Sequence, residues 1–511
     1  MELGHRGGDV VTKSVVIARP AGVTVLNPLL YSDLATGEVV NRIFDHLVLT
    51  DDRQRYVPGR LVTSWRSSPD GLTWDFFLRE SARWHDGRPV TADDAVFTFE
   101  TILDPATGSV RRSEFLVGDE PLRFEARGPH QLRVVAPEPF APLLAGFAWR
   151  PLLPRHIYAG RPLADHPGNE RPVGSGAFRV LSRTPEQVVL GAEARYHLGR
   201  PPLDEVEWRR IGDLDAAVAD LVAGTADYVP GVTVGLAAEL ADRPDLRLVR
   251  SADTSFTYLG FNLDVEPFTD LRVRQAIAAA IDREALVADV LGGNGRVAQG
   301  PIAPGSPWHH PGLVGRAYDP ADAGRLLEAA GWARGPDGRR RRDGRRLRFT
   351  IRTVAGDRLK ELTAARVAAD LARVGIGAEV VAQPMARLLP EHIYPRRYEA
   401  ALLALVPNPD PAFLRFFYHS AMLTPVGWNR FGYANRRVDA LLDASQSEMD
   451  QSARAALVRA AQENIVRELP QVFLFHPEVL DAARSDIVLP ALPTHAANRF
   501  MYLHEWDRKT D

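Results

Sequence analysis

The sequence predicts an α/β protein built from more than one lobe. Short alternating apolar runs and amphipathic helical stretches follow one another along the whole chain, separated by Pro and Gly. The length of 511 residues, 45% hydrophobic and 25% charged, allows large cores and suggests about three domains of ordinary size. No compositional break marks a linker. No internal repeat with a period of roughly 20 to 50 residues is present, which argues against a solenoid.

Taken in order, Val15 to Ala18 reads as a strand. Asp70-Gly71 and Asp86-Gly87 are turn dipeptides, and between them Trp74, Phe76 and Leu78 alternate onto one buried face. Ala92 to Leu103 reads as a helix, because Ala95, Val96, Phe99 and Ile102 recur at helical spacing; Thr91 can cap it, and Asp93 and Asp94 fall where the helix dipole favours acids. Asp270 to Val290 is expected to be one helix with Val273, Ile277, Ile281 and Leu286 as its apolar stripe. Ala321 to Ala330, Glu361 to Val374 and Arg454 to Arg467 are further amphipathic helices, with strands such as Phe349 to Val354 and Val472 to Phe475 between them.

Charge and composition remove several functions. A formal net charge of -3 supplies no global basic field, so nucleic acid is not an expected partner. The run containing Arg339 to Arg342, Arg345, Arg346 and Arg348 invites a nucleic-acid or polyanion reading, but Asp337-Gly338 and Asp343-Gly344 favour tight turns there, and a solvated hairpin at a lobe edge accounts for it equally well. Zero cysteines exclude disulfides, thiolate metal sites and a cysteine nucleophile. There is no Walker loop, and Gly174-Ser175-Gly176 lacks the rest of a dinucleotide fingerprint or a nucleophile elbow and reads as a turn. No HExxH arrangement occurs among the 14 histidines, and adjacent His309 and His310 point in different directions in regular structure. No cofactor, metal site or local catalytic motif is therefore nominated, although Ser, His and Asp are plentiful enough that a triad is not excluded by sequence.

One set of ordered segments stands above this background. Pro58, Leu61, Ser64 and Trp65 are followed by Ser68-Pro69-Asp70-Gly71-Leu72-Thr73-Trp74, Phe77-Leu78-Arg79 and Trp84 through Asp94. Further blocks are Leu26-Asn27-Pro28, Pro172 through Phe178, Leu221 through Asp227, Phe261-Asn262, Pro267 through Ala276 and Ile281-Asp282-Arg283. Tyr318-Asp319-Pro320 and Asp439 through Leu442 complete the series. Together they resemble the dipeptide/oligopeptide type of bacterial extracellular solute-binding protein, family 5, over nearly the whole chain. The local physics of these residues is mostly that of turns and caps, so they identify the family without locating its pocket.

The resemblance implies a type II periplasmic-binding-protein-like fold: two α/β lobes joined by crossover strands, an extra domain of the cluster C type, and a ligand enclosed between the lobes. The first lobe is expected to combine residues 1–45, 172–258 and 489–511, the extra domain 46–171, and the second lobe 259–488. The implied function is the extracytoplasmic solute-binding subunit of an ABC importer, a monomer that closes on a peptide or peptide-like solute and delivers it to the permease subunits without catalysis. The same fold binding an oligosaccharide, an opine or another acidic solute, or serving as a ligand sensor, is the alternative; no DNA-binding segment precedes Val15. A hydrolase would require a Ser-His-Asp cluster in the cleft. The start Met1-Glu2-Leu3-Gly4-His5-Arg6 lacks the basic and apolar parts of an export leader, so a periplasmic or cell-surface protein is expected to be a trimmed form, with a lipid anchor left open.

Pocket residues follow from the same alignment. Peptide-binding members hold the amino group with an Asp a few residues before an Asp/Glu-Pro pair; here the pair is Asp410-Pro411, but Pro407 occupies the earlier position. Asp410 is a possible substitute. After Asp104-Pro105, Arg111 and Arg112 stand where an aromatic is frequent and would clamp a carboxylate or phosphate, unless they are a solvated pair. Tyr31, Ser32, Asp33 and Leu34, then Thr254, Phe256 and Tyr258 on the crossover strand, and Leu405, Asn408, Phe417 and Trp428 around Asp410 complete the candidate pocket, an apolar set with a few polar groups.

Overall fold

The strand Gln471–Arg484 belongs to both lobes, and the architecture is organised around it. In a computed structural model of the chain, residues 12–109, 111–424, 427–490 and 499–509 are described; the first residues, read above for a leader, lie outside them. The first part of this strand pairs antiparallel with Phe256–Phe261, matching Thr257 to Phe475, while its last part pairs with Leu246–Ala252, from Ala252 opposite Glu478 to Leu246 opposite Arg484. A second connection, from Ala252 to Phe256, runs beside it, so two segments cross between the lobes. Residues 478–484 therefore pair within the first lobe, a correction to the sequence expectation that kept 259–488 together.

The whole forms a 12-stranded sheet. On the first-lobe side Ser14–Arg19 runs parallel to Glu205–Arg210 and is followed by Tyr228–Val229; on the second-lobe side Ala400–Leu405, Arg348–Val354 and Gly377–Gln383 continue the sheet outward. The strand expected over 472–475 is thus much longer, because its apolar run continues through Leu480, Ala482 and Ala483 into the other lobe's core.

Helices Ala92–Leu103, Pro320–Ala329, Arg358–Arg373 and Gln451–Glu468 agree with the periodicity within a few residues. Thr91 and Asp94 form a capping box, with the Thr91 N–H donating to Asp94 Oδ2 at 2.9 Å. The single helix expected from Asp270 to Val290 is two, Leu271–Ala280 and Arg283–Leu291. Asp282 causes the break: its carboxylate accepts the Ala285 N–H at 2.9 Å and caps a new helix, while Ile281 takes extended backbone.

The extra domain carries a four-stranded antiparallel sheet, Val62–Ser67, Thr73–Leu78, Gln131–Val135 and Arg123–Ala126, with the helix Ala92–Leu103 against it. Phe76, Phe99, Phe115, Phe124 and Phe147 fill its core, which is continuous with the first lobe's core at Ile17, Val39 and Phe178. Gly174 and Gly176 lie against the backbone of Arg42 and Ile43, where any Cβ would overlap a carbonyl oxygen; the Ser175 hydroxyl between them accepts the Asp45 N–H at 3.0 Å. The Arg-rich segment is a three-stranded antiparallel hairpin, Ala333–Arg334, Arg340–Arg342 and Arg345–Arg346, turning at Gly338, Asp343 and Gly344 with positive φ.

Candidate solute-binding site

The crossover forms the floor of the candidate site. Asp253 caps its own turn, accepting the Thr254 N–H at 2.8 Å and the Ser255 hydroxyl at 2.7 Å. His476, on the neighbouring crossover strand, donates through Nδ1 to the Ser255 carbonyl at 3.0 Å, and burial pushes its pKa down to about 4. Thr254 is buried and its Oγ1 has no hydrogen-bond partner, so it precedes the strand as an unsatisfied hydroxyl in the floor. Phe256 and Tyr258 turn into the second lobe: Phe256 lies 5.5 Å from the Phe473 ring and Tyr258 6.0 Å from Phe431, both buried. The strand's alternation did not separate these packed rings from ligand-facing ones, because this strand is buried on both faces.

The second lobe's wall follows the strand Ala400–Leu405. Leu405 is half-buried opposite Phe256, Pro407 is buried and Asn408 is exposed. Asn408 Oδ1 accepts the Asp410 N–H at 3.2 Å and the Tyr56 hydroxyl at 3.4 Å. Asp410 is only 1% exposed and accepts from both terminal nitrogens of Arg454, at 2.8 and 2.7 Å. That guanidinium also lies 4.9 Å over the Trp308 ring. Asp410 is thus committed to an internal ion pair, and a shift of register does not turn it into an amine anchor.

Beyond it, the helix Phe413–Tyr418 places Phe417 6.0 Å from Trp428, which is 47% exposed. Tyr394 meets the other edge of Trp428 at 6.2 Å, and the Arg430 guanidinium stacks 5.0 Å over Tyr394. Val406, Phe416 and Leu423 are exposed along the same 405–428 stretch, so Trp428 heads an uncovered apolar shelf. Tyr394 was missed from sequence because it lies more than 30 positions before Trp428 and only the packing of a separate turn brings it there.

The first lobe and the extra domain carry the other candidate residues. Asp33 caps the helix Leu34–Ile43, accepting the Thr36 N–H at 2.8 Å, and also takes the Thr24 hydroxyl at 3.1 Å. Ser32 and Leu34 are exposed, and Tyr31 lies so close to Gly37 that a Cβ there would sit 2.8 Å from its ring. Arg111 stacks 5.4 Å from the Tyr31 ring, joining the extra domain to the first lobe. Its side chain is 17% exposed, its Nε is buried without a partner, and Glu114 stands 3.8 Å away while bonding Arg150 at 2.6 Å. Burial, with Arg150 adding repulsion, lowers the Arg111 pKa. Arg112 instead donates its Nε to the Leu103 carbonyl at 2.9 Å. The two arginines diverge, correcting the expected paired clamp: Arg111 stacks on Tyr31, whereas Arg112 bonds the backbone at Leu103.

Among the described residues, no group of three or more His, Asp or Glu side chains is placed to hold a metal ion. His309 bonds the Ile302 carbonyl and His310 bonds Glu463. The candidate contact groups are thus Arg111 stacked on Tyr31 in the first lobe and extra domain, and Trp428 with Phe417 and Tyr394 in the second lobe.

Comparisons with known sequences and structures identify the family. The profile of the bacterial extracellular solute-binding proteins, family 5 middle, matches residues 56–423. The chain belongs to this family. Its members are receptors that hand solutes to the permeases of ABC importers, and the protein is an extracytoplasmic solute-binding receptor of that kind, not an enzyme. It is 30% identical over 492 residues to the oligopeptide-binding protein AppA of Bacillus subtilis, covering 93% of this chain and 87% of that one. It is 32% identical over 475 residues to Protein XP55 of Streptomyces lividans, covering 92% and 84%. The structure of Bacillus subtilis AppA in complex with a nonapeptide superposes with a TM-score of 0.78 at 26% identity, covering 98% of this chain and all of that one. NikZ of Campylobacter jejuni in complex with Ni(L-His) gives 0.80 at 25% identity, covering 97% and 99%. Among the described residues, no helix is long and apolar enough to cross a membrane.

Proposed function

We propose that the protein captures a peptide-like solute bearing a carboxylate between its lobes and delivers it to an ABC permease by hinge closure. Among the described residues, the first lobe in this reading takes those up to Ala252 outside the extra domain, with 478–490 and 499–509; the second takes 256–475. The observations that carry the reading are Arg111 stacked on Tyr31 in the first lobe and extra domain, and the exposed Trp428 beside Phe417 and Tyr394 in the second lobe. A stacked cation with an unpartnered, buried Nε suits a carboxylate, and an exposed aromatic shelf suits an apolar side chain. The peptide complexes of relatives support the ligand class. The occupied Asp410 favours solutes whose amino group is blocked, modified or left in water, which keeps opines and other acidic solutes in view. Anchoring at the cell surface through a lipid is part of the same proposal.

Calorimetric titration with matched peptides tests it. Free and N-acetylated forms of one tripeptide should bind within about threefold of each other, whereas C-terminal amidation should weaken binding at least tenfold. A requirement for the free amine, with indifference to the carboxylate, would sink this assignment of the pocket.

A further inference from the structure

Met449 stands between the helices Arg436–Ser447 and Gln451–Glu468 of the second lobe, yet it packs half-buried against the core shared by the first lobe and the extra domain. Its partner is the turn containing Asp70-Gly71. Gly71, at φ +71°, lies so near that a Cβ there would sit 2.9 Å from the Met449 Cγ and Sδ, so both the turn and the contact require glycine. Two polar contacts accompany it. The Ala141 N–H donates to the Gln446 carbonyl at 2.7 Å, in the last turn of its helix where carbonyls lack an intrahelical donor. The Tyr56 hydroxyl donates to Asn408 at 3.4 Å.

All three contacts join the extra domain to the second lobe, and none involves the crossover segments 252–257 and 475–478. Rotation about those segments can preserve the strand pairing at the crossover, but it must part Met449 from Gly71 and Ala141 from Gln446. We propose that these contacts form a latch by which the extra domain clasps the second lobe and stabilises the closed state independently of the solute. The inference rests on the hinge-closure reading above. Opening exchanges the two hydrogen bonds for water and exposes one methionine, so the latch biases the equilibrium by about tenfold without locking it. Because only part of the population is then competent to admit solute, the latch also tunes apparent affinity.

The absence of cysteine makes the test direct. Glu138→Cys and Ser452→Cys, at exposed positions on the two sides, carry spin labels whose distance distribution reports opening. In the double-cysteine parent, an equimolar tripeptide library should shift the distribution towards the short distance. Met449→Ala should raise the open-to-closed ratio about tenfold without added peptide, Tyr56→Phe by a smaller factor, and Met449→Leu should restore the parent distribution; circular dichroism confirms that each variant is folded. If the parent responds to peptide but Met449→Ala and Tyr56→Phe leave its peptide-free distribution unchanged, the latch is refuted and the hinge stands. If the parent distance is fixed with and without peptide, hinge closure fails and the latch with it.

Discussion

Asp410 and Arg454 face each other in a two-pronged ion pair inside the second lobe, 1% and 4% exposed, on a segment where the alignment places the solute's amine partner. The geometry leaves Asp410 unavailable as a substitute for the anchor expected at the position of Pro407. A carboxylate whose two oxygens each accept from one guanidinium, and one of which also takes the Ala412 N–H at 2.8 Å, is held inside the lobe at 1% exposure and offers no accessible oxygen to a ligand ammonium.

Breaking that pair should therefore appear in folding. Asp410→Ala leaves a buried guanidinium uncompensated and is expected to cost about 3 to 5 kcal/mol, while the double change Asp410→Leu with Arg454→Met should cost less than either single change. Urea unfolding of the three variants measures the ordering; equal losses in all three would contradict it.

Trp428 presents the opposite case. With 47% of its surface exposed, Trp428→Ala should lower the melting temperature little. It should weaken binding of tripeptides with an apolar side chain by about tenfold or more, as loss of an aromatic anchor does. Calorimetry and a thermal melt on the same preparation separate the two effects.

Arg111 and Arg112 are adjacent, yet only Arg111 stacks on Tyr31. Arg111→Ala should weaken carboxylate-bearing peptides by about tenfold to a hundredfold, and Arg112→Ala by less than threefold. Affinities compared at low and high salt should show a shallower salt dependence in the Arg111 variant.

His476 makes the hinge sensitive to acid. Its pKa falls from 6.5 to about 4 on folding, because burial disfavours the imidazolium; His46 and His85 are lowered for the same reason. The unfolded chain then binds more protons between the two values, so stability is full above pH 6.5 and is lost as pH falls towards 4, by up to about 3 kcal/mol from His476 alone. Urea midpoints at pH 7.5 and 5.0 should differ in that direction, and His476→Gln should shrink the difference.

Gly174 and Gly176 show how a motif can be visible while its cause is not. The triplet with Ser175 reads as a turn in sequence, but its glycines are there because the backbone of Ile43, some 130 positions earlier, passes against them. Gly174→Ala is expected to destabilise by about 3 kcal/mol or more through direct overlap, measurable by a thermal melt.

The sequence by itself determined the elements whose causes are local: helices announced by periodicity and a cap, as at Thr91, turns announced by Asp-Gly, and through its ordered motifs the family and the lobed fold. It also marked Trp428 and Arg111 as candidates. Only the tertiary structure decided that Asp410 is closed to ligand, that Phe256 and Tyr258 are packed, that Arg112 turns away and that Tyr394 joins the shelf. Arg112 aside, each of these depends on a partner far along the chain: Arg454 for Asp410, Phe473 and Phe431 for the two rings, and Trp428 for Tyr394. A side chain's chemistry is written at its own position, but its availability is set by what the fold brings beside it.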